Sequence, residues 1–213
     1  MELIKKFSSI ATGETISGAV GSIFWLYLAS LLTVSDYGEV QFLIGIASFG
    51  VGLSLIAQTN TIIVYEIKQR GLRGILFLMS FIMAGIVSVI LFIIYSRLDI
   101  VLLSFGMICA EMAIGYLMGK KLFIKYSIFL ISQKILMIAL AIGLYFLMGI
   151  EGIIYGIAIS YIPVAILVFS TFKNTSFNVP LLKNNFGFIF YNYLDRLIVF
   201  SRRNLDKIII MPM

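Results

Sequence analysis

At 213 residues, 61% of them hydrophobic and only 12% charged, the chain carries more apolar surface than a water-soluble core absorbs. Its net charge of +6 lies in clusters between apolar runs, which argues for membrane topology rather than nucleic-acid binding. The absence of histidine excludes His-based metal sites and His-dependent triads, and the single cysteine, Cys109, allows no disulfide within these residues.

The apolar runs are continuous and do not alternate, so helices are expected rather than a barrel. A span needs roughly 20 apolar residues. Six segments meet that need: 10–32, 40–65, 75–96, 100–117, 128–148 and 152–172. The N-terminal residues 1–6 lead into a span too long and too polar for a cleaved signal peptide, with no convincing small-residue cleavage site.

The first span is not uniformly apolar. Glu14, Gly18, Ser22 and Trp25 share one face, with Gly13, Ser17 and Gly21 repeating every fourth residue beside it. Small residues at that spacing let helix backbones approach closely in lipid, and a carboxylate on such a face must meet protein or a wet cavity. A polar turn then opens the second span, with Asp36 as its expected N-cap and Glu39 completing a capping box. The sixth span carries Gly152, Gly156 and Ser160, followed by Pro163, which is expected to kink it.

Basic residues recur at alternate loops: Lys5 and Lys6, then Lys68, Arg70 and Arg73, then Lys120, Lys121 and Lys125, then Lys173 and Lys183. The other loops hold Asp36 and Glu39, Arg97 with Asp99, and Glu151. The positive-inside rule then places both ends in the cytoplasm of a plasma-membrane protein. Residues 1–172 read as the span lobe, 173–185 as a cytoplasmic linker, and 186–213 as a tail with three charge pairs, Asp195-Arg196, Arg202-Arg203 and Asp206-Lys207. Their spacing puts them on one helical arc, which fits both an amphipathic surface helix and a seventh span.

Depth along each span places Glu14, Gln58, Asn60, Glu111 and Lys134 in one inner-half layer. Charges there cost about 2.5–3.5 kcal/mol each on insertion scales, so these groups are expected to face one another or water. Glu111 and Lys134 are the expected pair. Neither a metal-ligand cluster, a phosphate loop nor a nucleophile elbow is present, so neither an enzyme nor a cofactor is indicated.

Four short motifs carry a family resemblance. The turn Leu32-Thr33-Val34-Ser35-Asp36-Tyr37-Gly38-Glu39-Val40-Gln41, the basic run Lys120-Lys121-Leu122-Phe123-Ile124-Lys125-Tyr126, the turn Gly149-Ile150-Glu151-Gly152 and the segment Asn204-Leu205-Asp206-Lys207 resemble polysaccharide flippases of the multidrug/oligosaccharidyl-lipid/polysaccharide exporter superfamily. The resemblance implies one six-helix lobe and the start of the next, alternating access, and a lipid-linked oligosaccharide as cargo. It implies membrane lipids as neighbours and a second lobe or a homodimer as partner. Within it, Glu14, Asn60, Glu111, Lys134, Arg196, Arg202, Arg203 and Lys207 are the expected cavity residues, the tail cations suiting a lipid pyrophosphate. A cation- or proton-coupled exporter of small molecules, using Glu14 or Glu111, is the alternative, and a non-transporting membrane scaffold is the second.

Overall fold

The computed structural model describes residues 2–56, 59–68, 71–173, 175, 177 and 179–209, with side chains at all of these except 2–7, 196 and 200–209. Among them the chain is all-helical: α1 (Glu2–Leu31), α2 (Val34–Ser54), α3 (Thr59–Ile67), α4 (Arg73–Tyr95), α5 (Leu98–Gly119), α6 (Phe123–Met148), α7 (Ile150–Ile159), α8 (Ile162–Lys173) and α9 (Val179–Ile209). This is the architecture of an all-α, multi-pass membrane protein. Four helices are long and apolar enough to cross a bilayer: α4, α5, α6 and the stretch Ile150–Lys173. A fifth is added if α2 and α3, bent by 42° at their break, count as one span.

The expected first span is the difference. Helix α1 is thirty residues long but does not join that set, because Thr12, Glu14, Thr15, Ser17 and Ser22 dilute its apolar content. Helix α9, although thirty-one residues long, also falls outside the set. Its polar residues are spread through the apolar ones, the pattern of a helix with one wet face.

The bundle is organised around α5, which packs against α2, α3, α4, α6, α7 and α8 and is the most buried of the candidate spans. Small residues make this possible. A Cβ added at Gly115 would lie 2.9 Å from the Ile62 side chain, and one at Gly106 would lie 2.8 Å from Tyr161. Gly119 gives the same close approach to Glu66. Helix α1 belongs less to its sequence neighbour α2 than to α6. The stripe Gly13, Ser17, Gly21 is the contact, and Phe24 and Leu28 continue it as buried side chains.

Gly156 meets the α6 backbone so tightly that an added Cβ would lie 2.5 Å from Ala141 Cα. Gly18, expected at a similar contact, has nothing within 4 Å. The sixth span breaks where Pro163 predicts: α7 ends at Ile159, four residues before the proline, whose ring would clash with that residue's carbonyl in a continuous helix. The cap of α2 is shifted from the expectation. Thr33, not Asp36, is the N-cap; its hydroxyl accepts from the Asp36 backbone N–H at 3.2 Å. The turn thus starts one helical turn earlier, with Asp36 as the acidic residue of the first turn.

Candidate functional site

Close approach of α1 and α6 gives the site its cation. Because Gly21 has no side chain, the Lys134 stem crosses its position, 3.9 Å from where a Cβ would stand. Lys134 then helps line a cavity of about 460 Å³ inside the bundle. Trp25 comes from α1, Tyr37, Gln41 and Ser48 from α2, and Tyr161 from the α7–α8 break. Tyr37 and Trp25 meet edge to face at 6.4 Å, so one wall is aromatic. Apolar walls with a few convergent polar groups are the general form of a ligand site.

The acids of the expected layer lie elsewhere. Tyr126 Oη donates to Glu14 Oε1 at 3.0 Å, joining α1 to α6. Thr59, at the start of α3, donates its hydroxyl to the Glu111 carboxylate, which therefore sits at the positive end of a helix that begins within the bundle. Gln133 Nε2 donates to Ser160 Oγ at 3.1 Å, and Ser160 Oγ donates in turn to the Ile157 carbonyl at 2.6 Å. The expected pair of Glu111 with Lys134 does not form: among the described residues Lys134 takes part in no ion pair. Asn60 is exposed and joins neither group. The expectation for Gln58 lies outside the described residues, as do the side chains of Arg196, Arg202, Arg203 and Lys207, whose backbone belongs to α9.

Ion pairs close the two ends of the bundle. At one end Arg97 donates from Nη1 to Glu39 at 3.0 Å and from Nη2 and Nε to the two oxygens of Asp99 at 2.7 and 3.2 Å. The hydrogen bond to Asp99 raises the guanidinium pKa further above its ordinary value, with Glu39 and Glu151 adding to the effect. Three turns read as acidic in the sequence, α1–α2, α4–α5 and α6–α7, are thereby gathered at one end. At the other, buried Glu66 receives Arg73 at 3.0 Å and Lys120 at 3.2 Å, while the Arg73 guanidinium lies 4.9 Å from the Tyr116 ring centroid.

Sequence reasoning missed Glu66, Tyr126, Gln41, Ser48 and Tyr161. Glu66 had a usable signal, a lone acid beside loops otherwise counted as basic. The others carry none, since Tyr, Gln and Ser in a span are as often lipid-facing or interhelical as cavity-lining. Among the described residues no three metal-ligating side chains gather. The arrangement suits binding of an anionic or sugar-like group by one ammonium and several hydrogen-bonding side chains within an apolar frame. No family model, curated protein or solved structure matches the chain.

Proposed function

We propose that the chain is a transport lobe that moves an anionic, lipid-linked saccharide across the cell membrane by alternating access. One observation carries the reading: a lysine without an acidic partner among the described residues, placed on the wall of a 460 Å³ cavity within a bundle of membrane-crossing helices. A buried cation costs several kcal/mol unless something anionic visits it. A phosphate or pyrophosphate supplies that charge, and Gln41, Ser48 and the aromatic wall suit sugar hydroxyls and ring faces. The resemblance carried by the 32–41 turn points the same way. In this reading both termini are cytoplasmic, the basic loops face inward, and α9 brings its cations to the inner surface. A second lobe or a second copy completes the pathway along the exposed Glu14–Gly18–Ser22 face of α1, which is too polar to rest against acyl chains.

The test is translocation of a fluorescent polyprenyl-pyrophosphate sugar in proteoliposomes carrying the chain. Lys134→Gln is expected to lower the rate at least tenfold, with Lys134→Arg retaining most of it. An unchanged rate in Lys134→Gln overturns the reading.

A cation-coupled exporter of small molecules is the second reading. It is favoured by two carboxylates, Glu14 on α1 and Glu111 on α5, each held by a hydroxyl from another helix. Loss of proton-driven uptake in Glu111→Gln, with Lys134→Gln active, selects it. A scaffold without transport predicts that neither substitution changes any flux.

A further inference from the structure

Helices α1 and α6 run side by side in one direction. An added Cβ at Gly13 would lie 2.6 Å from Ser127 Cβ, and two turns further along α6 the Lys134 stem crosses Gly21. Near their first turns the pair leaves an open cleft of about 490 Å³, which shares no wall residue with the Lys134 cavity. Ser8, Ser9 and Thr12 belong to its α1 wall, and Ser127, Ile124 and Ile128 to its α6 wall. Helix α6 is long and apolar enough to cross a bilayer. Its start, and the cleft with it, therefore stands at a bilayer surface whichever way the bundle points.

The hydroxyls of the cleft fall into two sets. Ser127 Oγ donates to the Ser9 carbonyl at 2.7 Å and lies 3.2 Å from Ser9 Oγ, so these two hold α1 to α6. Ser8 and Thr12 make no hydrogen bond among the described residues, and both are exposed. They stand one helical turn apart on the same face, a spacing that lets one phosphate group sit between two O–H donors. Glu14, the next acid along α1, accepts from Tyr126 Oη at 3.0 Å and is no part of the cleft wall.

The surroundings favour an anion. Residues 2–6 and 121–125, which adjoin the two walls in sequence, bring Lys5, Lys6, Lys121 and Lys125 against one acid, Glu2. Lys121 and Lys125 are exposed. The first turn of α6 has no side-chain cap, so the positive end of its dipole adds to the field. Ile124 and Ile128, at 68% and 61% exposure, give the cleft an apolar flank open to acyl chains.

We propose that this cleft holds a resident anionic phospholipid of the surrounding bilayer, its phosphate between Ser8 and Thr12 and an acyl chain along Ile124 and Ile128. Such a lipid is not cargo. It bridges α1 and α6 and so ties down the long N-terminal helix that is too polar to join the apolar set. Charge selects its class: phosphatidylcholine offers the same phosphate but carries a quaternary cation that the lysines repel, whereas phosphatidylglycerol keeps its net negative charge. The isoleucine flank selects a lipid over a free phosphate ester, which leaves that surface uncovered.

Native mass spectrometry of the full chain in mild detergent tests this with three probes: dioleoyl phosphatidylglycerol, dioleoyl phosphatidylcholine and glycerol 3-phosphate. The parent is expected to retain one phosphatidylglycerol at least tenfold more tightly than either other probe. Ser8→Ala combined with Thr12→Val removes both donors from exposed positions and should weaken phosphatidylglycerol about tenfold. Lys125→Gln should narrow its preference over phosphatidylcholine, and Lys134→Gln should leave it unchanged. Phosphatidylglycerol should also raise the melting temperature of the parent more than that of the double variant. Parent-like retention by the double variant, or equal binding of phosphatidylcholine by the parent, overturns the proposal. Loss of phosphatidylglycerol in Lys134→Gln but not in the double variant places the lipid in the central cavity and overturns it as well. A change of oligomeric mass in the double variant makes the cleft a contact between copies instead.

Discussion

Gly156 and Gly18 look alike in the sequence, each within a run of small residues four apart, yet their surroundings differ completely. An added Cβ at Gly156 strikes the main chain of α6, which cannot yield as a flexible side chain can. Gly156→Leu should therefore lose folded protein in detergent, with destabilisation above about 3 kcal/mol. Gly18→Leu should melt within about 0.5 kcal/mol of the parent, because nothing lies within 4 Å of the added atom. Thermal melts of both proteins check this, and equal melting temperatures would refute it. Direction around the helix is what separates the two, and spacing alone does not give it when two small-residue faces adjoin, as on α1. The same limit applies to Glu111 and Lys134. Position along each span suggested a contact that the structure does not contain, and the absence of an ion pair between them predicts additive effects in a double-mutant cycle of Glu111→Gln with Lys134→Met.

Breaks carry as much information as helices. The α7–α8 break was legible because proline states its own consequence. The α2–α3 break was not, since no proline marks residues 40–65 and Gln58 and Asn60 read as interhelical polar groups. Such a break leaves terminal carbonyls of α2 without intrahelical donors. One is answered from far along the chain: Tyr193 Oη, on α9, donates to the Leu53 carbonyl at 2.8 Å. Ile189 is buried beside it, and Phe188 meets Tyr65 of α3 edge to face at 6.1 Å. Helix α9 thus docks across the break by its N-terminal half. Tyr193→Phe keeps the ring and removes the donor, so it should cost about 1 kcal/mol and speed amide exchange at the C-terminal turn of α2. Unchanged exchange there would show that the apolar contacts alone hold α9. At the opposite end of α2, Thr33→Ala should cost about 1 kcal/mol and fray the first turn, whereas Asp36→Asn should cost less, reversing the order the sequence suggested.

For the whole molecule, the two end clusters differ in burial and hence in strength. Glu66 is shielded, with 8% of its side chain exposed, and neutralising it strands Arg73 at 16% exposure. Breaking a buried pair from one side costs about 3–5 kcal/mol. Glu39, at 40% exposure, belongs to the range in which an ion pair contributes roughly 0–1 kcal/mol. Glu66→Gln should therefore lower the melting temperature clearly more than Glu39→Gln, and high salt should narrow the difference little. The reverse order would show that the Arg97 cluster holds the bundle together. The helical, membrane-crossing character of the fold was legible because lipid-facing stretches declare themselves by continuous apolarity. The centrality of α5 was not, because Ala110, Ala113, Gly115 and Gly119 are unremarkable singly and acquire meaning only from the helices that close on them.

The preference of α1 for α6 has a consequence during synthesis. Ser127 Oγ donates to the Ser9 carbonyl at 2.7 Å across 118 residues of sequence. At ~5–20 residues per second the ribosome needs on the order of ten seconds to supply that partner. Throughout the interval the most polar of the long N-terminal helices, with Glu14 still lacking Tyr126, has its glycine stripe uncovered in the bilayer or in the insertion machinery. The nascent chain therefore passes through a stage in which α1 awaits a partner 118 residues further on. A chain stopped after α5 should leave a cysteine placed at Ser17, on the same stripe, open to labelling, and the site should close once α6 has entered.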